Sequence, residues 1–600
     1  MIATRQEQFP TPLTLHFRGS QVAFEVSSLT LQYRCGTQNV TEVHPARSLS
    51  PATFRGVDAW APSASTLLPL IRMPQTGTEQ FHALELSVRS SDPGPAYIER
   101  VSVTGRLVFQ GQRPPLASLS WLRNGWQSWS WCGMLPANNP TFPMPTRDFA
   151  YRIKEDADVS RTQAPYWSDM LGGVRWPDAA LLFGARGQSR FQNVVYEVQG
   201  EDLLVHLEID ADSLPLAPGA SADLGGWELQ TGPSLTALAE QWAHRRNVPH
   251  SPKAPLMAWC SWYQRGPRIT HVYIKETVDL LKQRKEFSPV TLVQVDDGYQ
   301  SRVGDWLTPS GRYGAHIKDT ARMITDSGYK AGLWVAPFIA QQRSELFAKH
   351  PNWFLRRGND FYSAGWNPFW LDTIRALDTS NPEVQRWLHE TFSRLVEYGF
   401  TFFKLDYLYP AAIRARRFNN EMGRFLAFKK GLEVIREAVG PDITLLGCGA
   451  PLAPSIGIVD AMRVSVDIDV TWENPAWLRL ATGDTETTGL APAIRNSLTR
   501  GPFIKPLFRI DPDCLLLRSK GSTLTPEQRE LAMQLAGVHG EWVLLGDDIT
   551  RWGEEQFQLF ERFKTMVGTD AAPLDSLDQL NPDKVRVSLK AGESTVSFKV

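Results

Sequence analysis

The feature that most constrains this chain is a series of apolar runs of strand length, each followed by a helical pattern, beginning near residue 256. Such runs are typical of parallel strands buried on both faces, and eight strand–helix units in about 300 residues match a (β/α)8 TIM barrel. The barrel is therefore predicted over residues 246–570. Its strands are predicted at 257–263, 290–299, 329–338, 400–408, 443–449, 461–468, 508–517 and 541–549.

The first 245 residues follow a different rhythm, in which apolar and polar side chains alternate, as in Leu15, His16 and Phe17. Many such short segments, separated by Gly, Pro and Ser turns, predict an N-terminal antiparallel β-sandwich over residues 1–245. After the last predicted helix, KVRVSLKAG and STVSFKV predict a small C-terminal antiparallel β-domain over residues 571–600. A chain of 600 residues exceeds the size of one ordinary hydrophobic core, which agrees with three domains.

One helix is predicted in detail between the third and fourth barrel strands. Ser380 and Glu383 have the spacing of a capping box, with Pro382 in the first turn, and Gly399 is a natural C-terminal stop. Apolar residues then recur at three- and four-residue spacing: Val384, Trp387, Leu388, Phe392 and Leu395. Trp387 is therefore expected to be structural.

Charge and cysteine usage limit the partners and the location. The 63 Lys and Arg residues nearly balance the 64 Asp and Glu residues, so nucleic acid and anionic membrane surfaces are not expected partners. The five cysteines are scattered without a CxxC pair, which favours reduced thiols. Met1 to Pro10 has no apolar core of a signal peptide, and no segment approaches the ~20 apolar residues of a membrane span. We expect a cytoplasmic protein without a membrane partner; a homo-oligomer is left open.

In a (β/α)8 barrel the active site forms at the carboxyl ends of the strands. The polar and aromatic residues that close the predicted strands are Trp262, Asp296, Asp297, Trp334, Lys404, Asp406, Cys448, Arg463 and Asp467. The period of two places Lys404 and Asp406 on one face of their strand, and Arg463 and Asp467 on one face of theirs. Each of these two carboxylates is thus predicted to have a cation beside it.

Two carboxylates on different strands, with tryptophans around them, suit the hydrolysis of a glycoside. Lys404 would keep Asp406 ionised as the nucleophile, while Asp467 would be the acid/base, its proton held by the charge of Asp406. Asp296 and Asp297 would accept hydrogen bonds from sugar hydroxyls. Trp262 and Trp334 would supply apolar walls, and the Asp305–Trp306 pair another contact at the rim.

Simpler interpretations stand beside each of these. A single aspartate at a strand end is more often a helix cap or a salt-bridge partner, and a single tryptophan is more often part of the core, even in a chain with 21 of them. Cys448 alone is most often a buried small side chain, and Arg463 could serve only to neutralise Asp467. No histidine closes a predicted strand, and HExxH and Walker motifs are absent, so we expect no metal and no cofactor.

The motifs NGWQSWSW, CSWY, QVDDGYQ, GLWVAPF, FFKLDYL, LLGCGAPL and MRVSVD occur in this order over most of the chain. In this order they resemble glycoside hydrolase family 36, the melibiase-type α-galactosidases, and more closely its shorter thermophile-type members. The resemblance implies a retaining double displacement, with Asp406 as nucleophile and Asp467 as acid/base. It also implies sugar contacts from Asp296, Asp297, Lys404, Cys448 and Arg463, and aromatic walls from Trp262, Trp334 and Trp129. LLGCGAPL lacks the longer Cys-Ser-Gly-Gly-Gly stretch of the large enzymes, which leaves the leaving-group side undefined.

The sequence therefore predicts a retaining α-galactosidase that hydrolyses terminal non-reducing α-galactosyl groups of a small carbohydrate substrate. Retention would place the two carboxyl groups about 5–5.5 Å apart. The alternatives are an α-galactosyl transglycosylase, a related glycosidase such as an α-N-acetylgalactosaminidase, and a non-enzymatic carbohydrate-binding protein.

Overall fold

The computed structural model describes residues 14–17, 22–54, 57–62, 67–73, 81–91, 93–248, 256–367, 369–539, 542–567, 585–588 and 595–598. Residues 1–10, most of the predicted linker and most of residues 571–600 lie outside this set. The chain divides into two compact units. The first comprises Met1–Asn124, Met134–Thr141 and Thr162–Ala239, and the second Gly125–Gly133, Phe142–Arg161 and Glu240–Val600.

Antiparallel strands build the first unit, as the alternating pattern predicts. They form one sheet in the order β1-β2-β8-β15-β14-β11, with β3 beside β2, and another in the order β10-β9-β12-β13-β16-β7-β6-β5-β4. The strands are β1 (Thr14–His16), β2 (Val22–Cys35), β3 (Gln38–Pro45), β4 (Leu49–Phe54), β5 (Val57–Pro62), β6 (Leu67–Arg72), β7 (Phe81–Ser90), β8 (Ala96–Phe109), β9 (Ser120–Asn124), β10 (Cys132–Pro136), β11 (Trp167–Asp169), β12 (Leu171–Trp176), β13 (Ala179–Ala185), β14 (Phe191–Gln199), β15 (Asp202–Leu216) and β16 (Ser221–Gly232).

Large aromatic side chains join these two sheets. Phe24 of β2 meets Phe183 of β13 edge-on, with ring centroids 5.8 Å apart. Trp121 of β9 stacks on Tyr196 of β14 at 4.9 Å. Because every second side chain of each strand points inward, the alternation seen in the sequence becomes the shared apolar layer between the sheets.

A parallel sheet forms the centre of the second unit. Its strands are β17 (Leu256–Cys260), β18 (Leu292–Val295), β19 (Lys330–Val335), β25 (Phe400–Leu405), β26 (Thr444–Gly447), β27 (Ala461–Arg463), β28 (Arg509–Asp511), β29 (Cys514–Leu515) and β30 (Trp542–Leu545). The five short strands between β19 and β25 are β20 (Ile339–Gln341), β21 (Arg356–Arg357), β22 (Asp360–Phe361), β23 (Ser363–Asn367) and β24 (Asp372–Ala376). Each of the eight predicted strand segments overlaps at least one strand of the parallel sheet.

The order of hydrogen-bonded neighbours in this sheet is β28-β27-β26-β25-β19-β18-β17-β30-β29. The two ends of this path, β28 and β29, are separated in sequence only by Pro512 and Asp513. Apolar residues of seven of the strands meet in one buried cluster that includes Ala258, Leu292, Phe402, Leu446, Ala461, Cys514 and Leu544.

Most of the helices lie between these strands, as expected of β/α units, and the first two precede the parallel sheet. The helices are α1 (Asp148–Lys154), α2 (Leu235–Arg245), α3 (Trp262–Arg265), α4 (His271–Gln283), α5 (Ile317–Asp326), α6 (Glu345–Lys349), α7 (Pro382–Glu397), α8 (Arg424–Val439), α9 (Ala476–Thr482), α10 (Leu490–Ile504), α11 (Pro526–His539) and α12 (Glu554–Met566). In the described parts of the chain, no helix has the length and apolar character needed to cross a membrane. Near the C-terminus, β31 (Val585–Ser588) pairs antiparallel with β32 (Thr595–Phe598).

The predicted capping box of α7 is wrong by one residue. The helix begins at Pro382 and its N-cap is Asn381, whose side-chain oxygen accepts a hydrogen bond from the Glu383 backbone N–H at 2.9 Å. Ser380 instead donates to Asp378 at 2.7 Å, and the Glu383 carboxylate accepts from the Trp353 indole at 2.8 Å. Ser380 and Asn381 both have side chains that can cap a helix. Tertiary contacts decide between them, and the spacing of residues in the sequence does not predict those contacts.

Loss of the Asn381 cap is expected to destabilise the second unit. Asn381→Ala removes the acceptor of an otherwise unpaired helix N–H and should cost about 1 kcal/mol, seen as a lowered midpoint in calorimetry. Asn381→Ser keeps a short side-chain acceptor and should stay close to the wild type. Equal midpoints for the Ala and Ser variants would contradict the assignment of the cap.

Candidate active site

A cavity of about 670 Å³ opens at the carboxyl ends of the parallel strands in the second unit. It falls within the range of ~300–1,000 Å³ typical of small-molecule sites. Of the ten predicted site residues, eight line it: Trp129, Trp262, Asp296, Asp297, Trp334, Lys404, Asp406 and Asp467. Arg463 and Cys448 are fully buried behind the wall, where each contacts a lining residue.

Asp406 follows β25 and is held by N–H donors. The indole of Trp334 donates to Oδ2 at 2.8 Å, and the Tyr407 backbone N–H donates to Oδ1 at 2.9 Å. Tyr407 has a φ of 48°, in the left-handed region that non-glycine residues rarely occupy. A backbone turn immediately after the strand thus supplies one of the two donors. Both donors stabilise a carboxylate rather than a carboxylic acid.

Lys404 does not pair with Asp406 as expected from the sequence. Its ammonium lies 3.0 Å from Oδ2 of Asp296, which directly follows β18. Both side chains are almost completely buried. Gln294 donates to the same oxygen at 2.7 Å. Burial opposes the charge on Lys404, yet Asp296 raises the pKa of this lysine well above its ordinary value. The period of two gives the face of the strand correctly, but not which of two nearby carboxylates the long side chain reaches.

Asp297 carries a perturbed carboxyl group. Gln300 donates to Oδ1 at 2.6 Å and the Trp370 indole donates to Oδ2 at 2.8 Å. Burial raises the pKa of Asp297 to about 6 against the lowering influence of these two hydrogen bonds, and the charges of Asp296 and Asp406 add to the increase.

Asp467 faces the cavity with its side chain 41% exposed, and Arg463 lies behind it at 3.2 Å from Oδ1. The guanidinium of Arg463 also contacts Asp511 and Asp513, each at 2.8 Å. Desolvation and then the charge of Asp513 raise the pKa of Asp467 to about 7, while Arg463 and Lys404 lower it. The sequence predicts that the charge of Asp406 holds the proton of Asp467. In the structure that charge raises the pKa of Asp467 less than burial or the charge of Asp513 does.

Trp129 lies in a short segment, Gly125–Gly133, that belongs to the second unit. Its indole N–H points at Sγ of Cys448 at 3.3 Å, and its ring meets Tyr407 edge-on at 5.0 Å. Gly449 has a φ of 57°, and a Cβ there would lie only 2.9 Å from the Trp129 ring. Burial raises the pKa of the Cys448 thiol well above its ordinary value, so this thiol holds the indole as a neutral group.

The expected rim contact from Asp305 and Trp306 is not present. Asp305 accepts hydrogen bonds from the backbone N–H groups of Glu345 and Leu346, each at 3.1 Å, at the start of α6. Trp306 is buried, with its ring 5.7 Å from that of Trp334. This pair supports the wall from behind rather than lining it.

Several residues of the site were not predicted. Asp511 and Asp513 lie in the predicted strand 508–517, where the DPD pattern could have indicated them. The region around β23 also lines the cavity, with Trp366, Phe369 and Trp370. This region does not directly follow a parallel strand, so the rule about strand ends does not point to these residues. Among the described residues, no group of three His, Cys, Asp or Glu side chains is arranged to hold a metal ion.

Comparison with known proteins shows similarity to one enzyme family. The melibiase family profile matches residues 270–424, which include Asp296, Asp297, Lys404 and Asp406. TtGalA, the α-galactosidase of Thermus thermophilus crystallised with p-nitrophenyl α-D-galactopyranoside, is 26% identical. That alignment covers 92% of this chain and 99% of TtGalA, with a TM-score of 0.67. The chain is thus similar to the melibiase family over residues 270–424, and to an α-galactosidase over most of its length.

Two further relatives are similar to this chain over shorter stretches. The α-galactosidase AgaA of Geobacillus stearothermophilus is 30% identical over 125 residues, or 20% of this chain and 16% of AgaA. The myogenesis-regulating glycosidase of Mus musculus is 24% identical over 211 residues, or 33% of this chain and 28% of that protein. The chain thus spans less than a third of the length of either of these curated relatives.

The Lys404–Asp296 pair can be tested in this protein by a double-mutant cycle. Lys404→Met leaves a buried carboxylate without its cation and should destabilise the second unit by about 3–5 kcal/mol. Adding Asp296→Asn should recover part of that loss, whereas adding Asp406→Asn should not. The measurement is the free energy of unfolding of the second unit. Recovery with Asp406→Asn alone would contradict the pairing.

Proposed function

We propose that this protein is a retaining α-galactosidase that hydrolyses terminal non-reducing α-galactosyl groups. The observation that carries the proposal is the contrast between two aspartates on one cavity. Asp406 receives two N–H donors, while Asp467 has a pKa of about 7. One group is thus suited to attack as a carboxylate and the other to deliver a proton. TtGalA, whose crystal forms contain stachyose or an aryl α-galactoside, supports the choice of sugar.

The proposed reaction has two displacements. Asp406 attacks the anomeric carbon and forms a covalent galactosyl ester, while Asp467 donates its proton to the leaving oxygen. Asp467, now ionised, takes a proton from water, and the resulting hydroxide oxygen attacks the anomeric carbon and releases Asp406. Both carboxyl groups return to their starting states, and no cofactor takes part in these steps.

The cavity floor would select the sugar. Asp296 and Asp297 lie side by side, each with oxygens that already accept hydrogen bonds from the protein. Hydroxyls at C4 and C6 of galactose would add to these networks, and an epimer would leave buried polar atoms unpaired, which is costly. Lys404 completes the polar floor, with Cys448 and Arg463 supporting it from behind, and Trp262, Trp334 and Trp129 form the walls.

We extend the proposal to the architecture and location. The neighbour order of the parallel strands supports closure into a (β/α)8 barrel, with β28 and β29 as two halves of one broken strand. The antiparallel sheets would form a sandwich over residues 1–245, the barrel would span 246–570, and 571–600 would be a small β-domain. The protein would act in the cytoplasm on small carbohydrates.

Removal of either carboxylate is expected to abolish activity. Asp406→Ala and Asp467→Ala should each lower kcat on an aryl α-galactoside by several orders of magnitude, while circular dichroism stays unchanged. Asp469→Ala is the matched control, because Asp469 lines the same cavity two residues further along and should not be needed. For the wild type, proton NMR should show α-galactose as the first product. Normal turnover in either variant, or β-galactose first, would overturn the proposal.

The alkaline limb of the pH profile is expected to report Asp467. The acid must be protonated, so kcat/KM should fall as the pH rises past about 7. Asp513→Asn removes a negative charge that raises the pKa of Asp467, so the limb should move to lower pH. A limb that does not move, or that moves to higher pH, would show that Asp467 is not the titrating group.

A further inference from the structure

The outer part of the cavity is lined by aromatic rings that face solvent. Trp477 is 60% exposed, Phe369 is 55% exposed and Trp366 is 39% exposed, yet all three line the same cavity as the aspartates. Large apolar rings left in water are normally accounted for by something that binds them.

These rings differ from the tryptophans of the floor. The indole N–H groups of Trp334 and Trp370 donate to Asp406 and Asp297, and their rings pack 6.3 Å apart. Within the described residues, the indoles of Trp366 and Trp477 make neither a hydrogen bond nor a ring contact. Phe369 meets Trp262 edge-on, with ring centroids 5.9 Å apart, and is still 55% exposed. The floor rings are committed to the protein, whereas the rings of Trp366 and Trp477 are available to a ligand.

Trp477 is carried on a loop that begins and ends at Asp467. The backbone oxygen of Asp467 accepts hydrogen bonds from the Gly489 N–H at 3.0 Å and from the Thr488 hydroxyl at 2.9 Å. Between these points the chain forms α9, where Trp477 lies in the first turn. A group that rests on Trp477 is therefore bound by the same loop that carries the proposed proton donor.

The position of α9 is fixed. Just after the helix, Asp484 forms an ion pair with Lys154 at 2.7 Å, with both side chains largely buried. The Gly483 carbonyl accepts a hydrogen bond from the Thr146 N–H at 2.7 Å. A ring on a fixed helix loses little conformational freedom when it binds a ligand, which favours its use as a platform.

We propose that Trp477, together with Trp366 and Phe369, forms a leaving-group subsite for groups with a flat apolar face, either a second pyranose ring or an aryl ring. This subsite rests on the proposed function, since it takes the part of the substrate that Asp467 protonates. Galactose itself would occupy the charged floor, because its hydroxyls require the polar partners there. The leaving group then projects toward the mouth, where the exposed rings lie.

The test compares Trp477→Ala with Leu480→Ala in the full chain. Leu480 is 78% exposed on the same helix and does not line the cavity, so its variant controls for loss of an exposed apolar side chain. The substrates are α-galactosyl fluoride, whose leaving group is too small to reach Trp477, p-nitrophenyl α-galactoside and raffinose. The last two separate an aryl from a sugar leaving group.

For Trp477→Ala we expect KM for raffinose and for the aryl substrate to rise roughly three- to tenfold relative to KM for the fluoride, the size of one aromatic contact. Leu480→Ala should match the wild type on all three. A penalty that is equal for the fluoride and the larger substrates would overturn the subsite, as would an unchanged KM ratio. If the wild type hydrolyses none of the three, the proposed function fails instead.

Light scattering provides a second readout. The subsite requires that Trp477→Ala keeps the molar mass of the wild type. A change of molar mass in both variants, without a change in the KM ratio, would assign the exposed rings to an interface between copies of this chain and overturn the proposal.

Discussion

The behaviour of the cavity depends on six carboxyl groups gathered around two buried cations. Lys404 pairs with Asp296, and Arg463 contacts Asp467, Asp511 and Asp513, while Asp297 and Asp406 are held by N–H donors alone. Six full negative charges at this depth would cost more than two cations can offset. Burial is the main reason that the pKa values of Asp297 and Asp467 rise to about 6 and 7, and the charges of neighbouring carboxylates add to both increases. A proton near neutral pH is therefore a consequence of burial together with the crowding of carboxylates in the floor.

The parallel sheet makes this charge density possible. Its strands end at one rim, so Asp296, Lys404 and Arg463, which are far apart in sequence, converge at the carboxyl ends of β18, β25 and β27. Turns of unusual backbone then supply extra donors. Tyr407 and Asp513 both have positive φ, and such residues cost about 1–3 kcal/mol each unless their surroundings hold them. Here the turns aim backbone N–H groups at Asp406 and, through Cys514, at Asp513.

Sequence patterns predicted the parts of this structure that depend on local period. The parallel strands, the antiparallel strands and the body of helix α7 follow from which side chains must be buried, and the strand-end rule found the residues of the floor. The patterns failed where a contact depends on the length of a side chain or on the conformation of a loop. Lys404 turned to Asp296 rather than Asp406, the cap of α7 moved from Ser380 to Asn381, and Asp305 served α6. Trp370 was not predicted because it lies between β23 and β24, two of the short strands inserted between β19 and β25. The insertion is outside the repeating pattern of strand and helix that the sequence shows.

The floor and the mouth of the cavity are consequently under different constraints. Each polar side chain of the floor already has partners, so a change in one disturbs the charge balance of the others, and the pKa of Asp467 would shift with it. The side chains of Trp477, Trp366 and Phe369 take no part in these polar contacts, and they lie on a loop and a hairpin rather than on the sheet. Substitutions there can alter what is bound beside Asp467 without altering its proton. A fold of this kind can keep one sugar at its floor while its mouth adapts to different leaving groups.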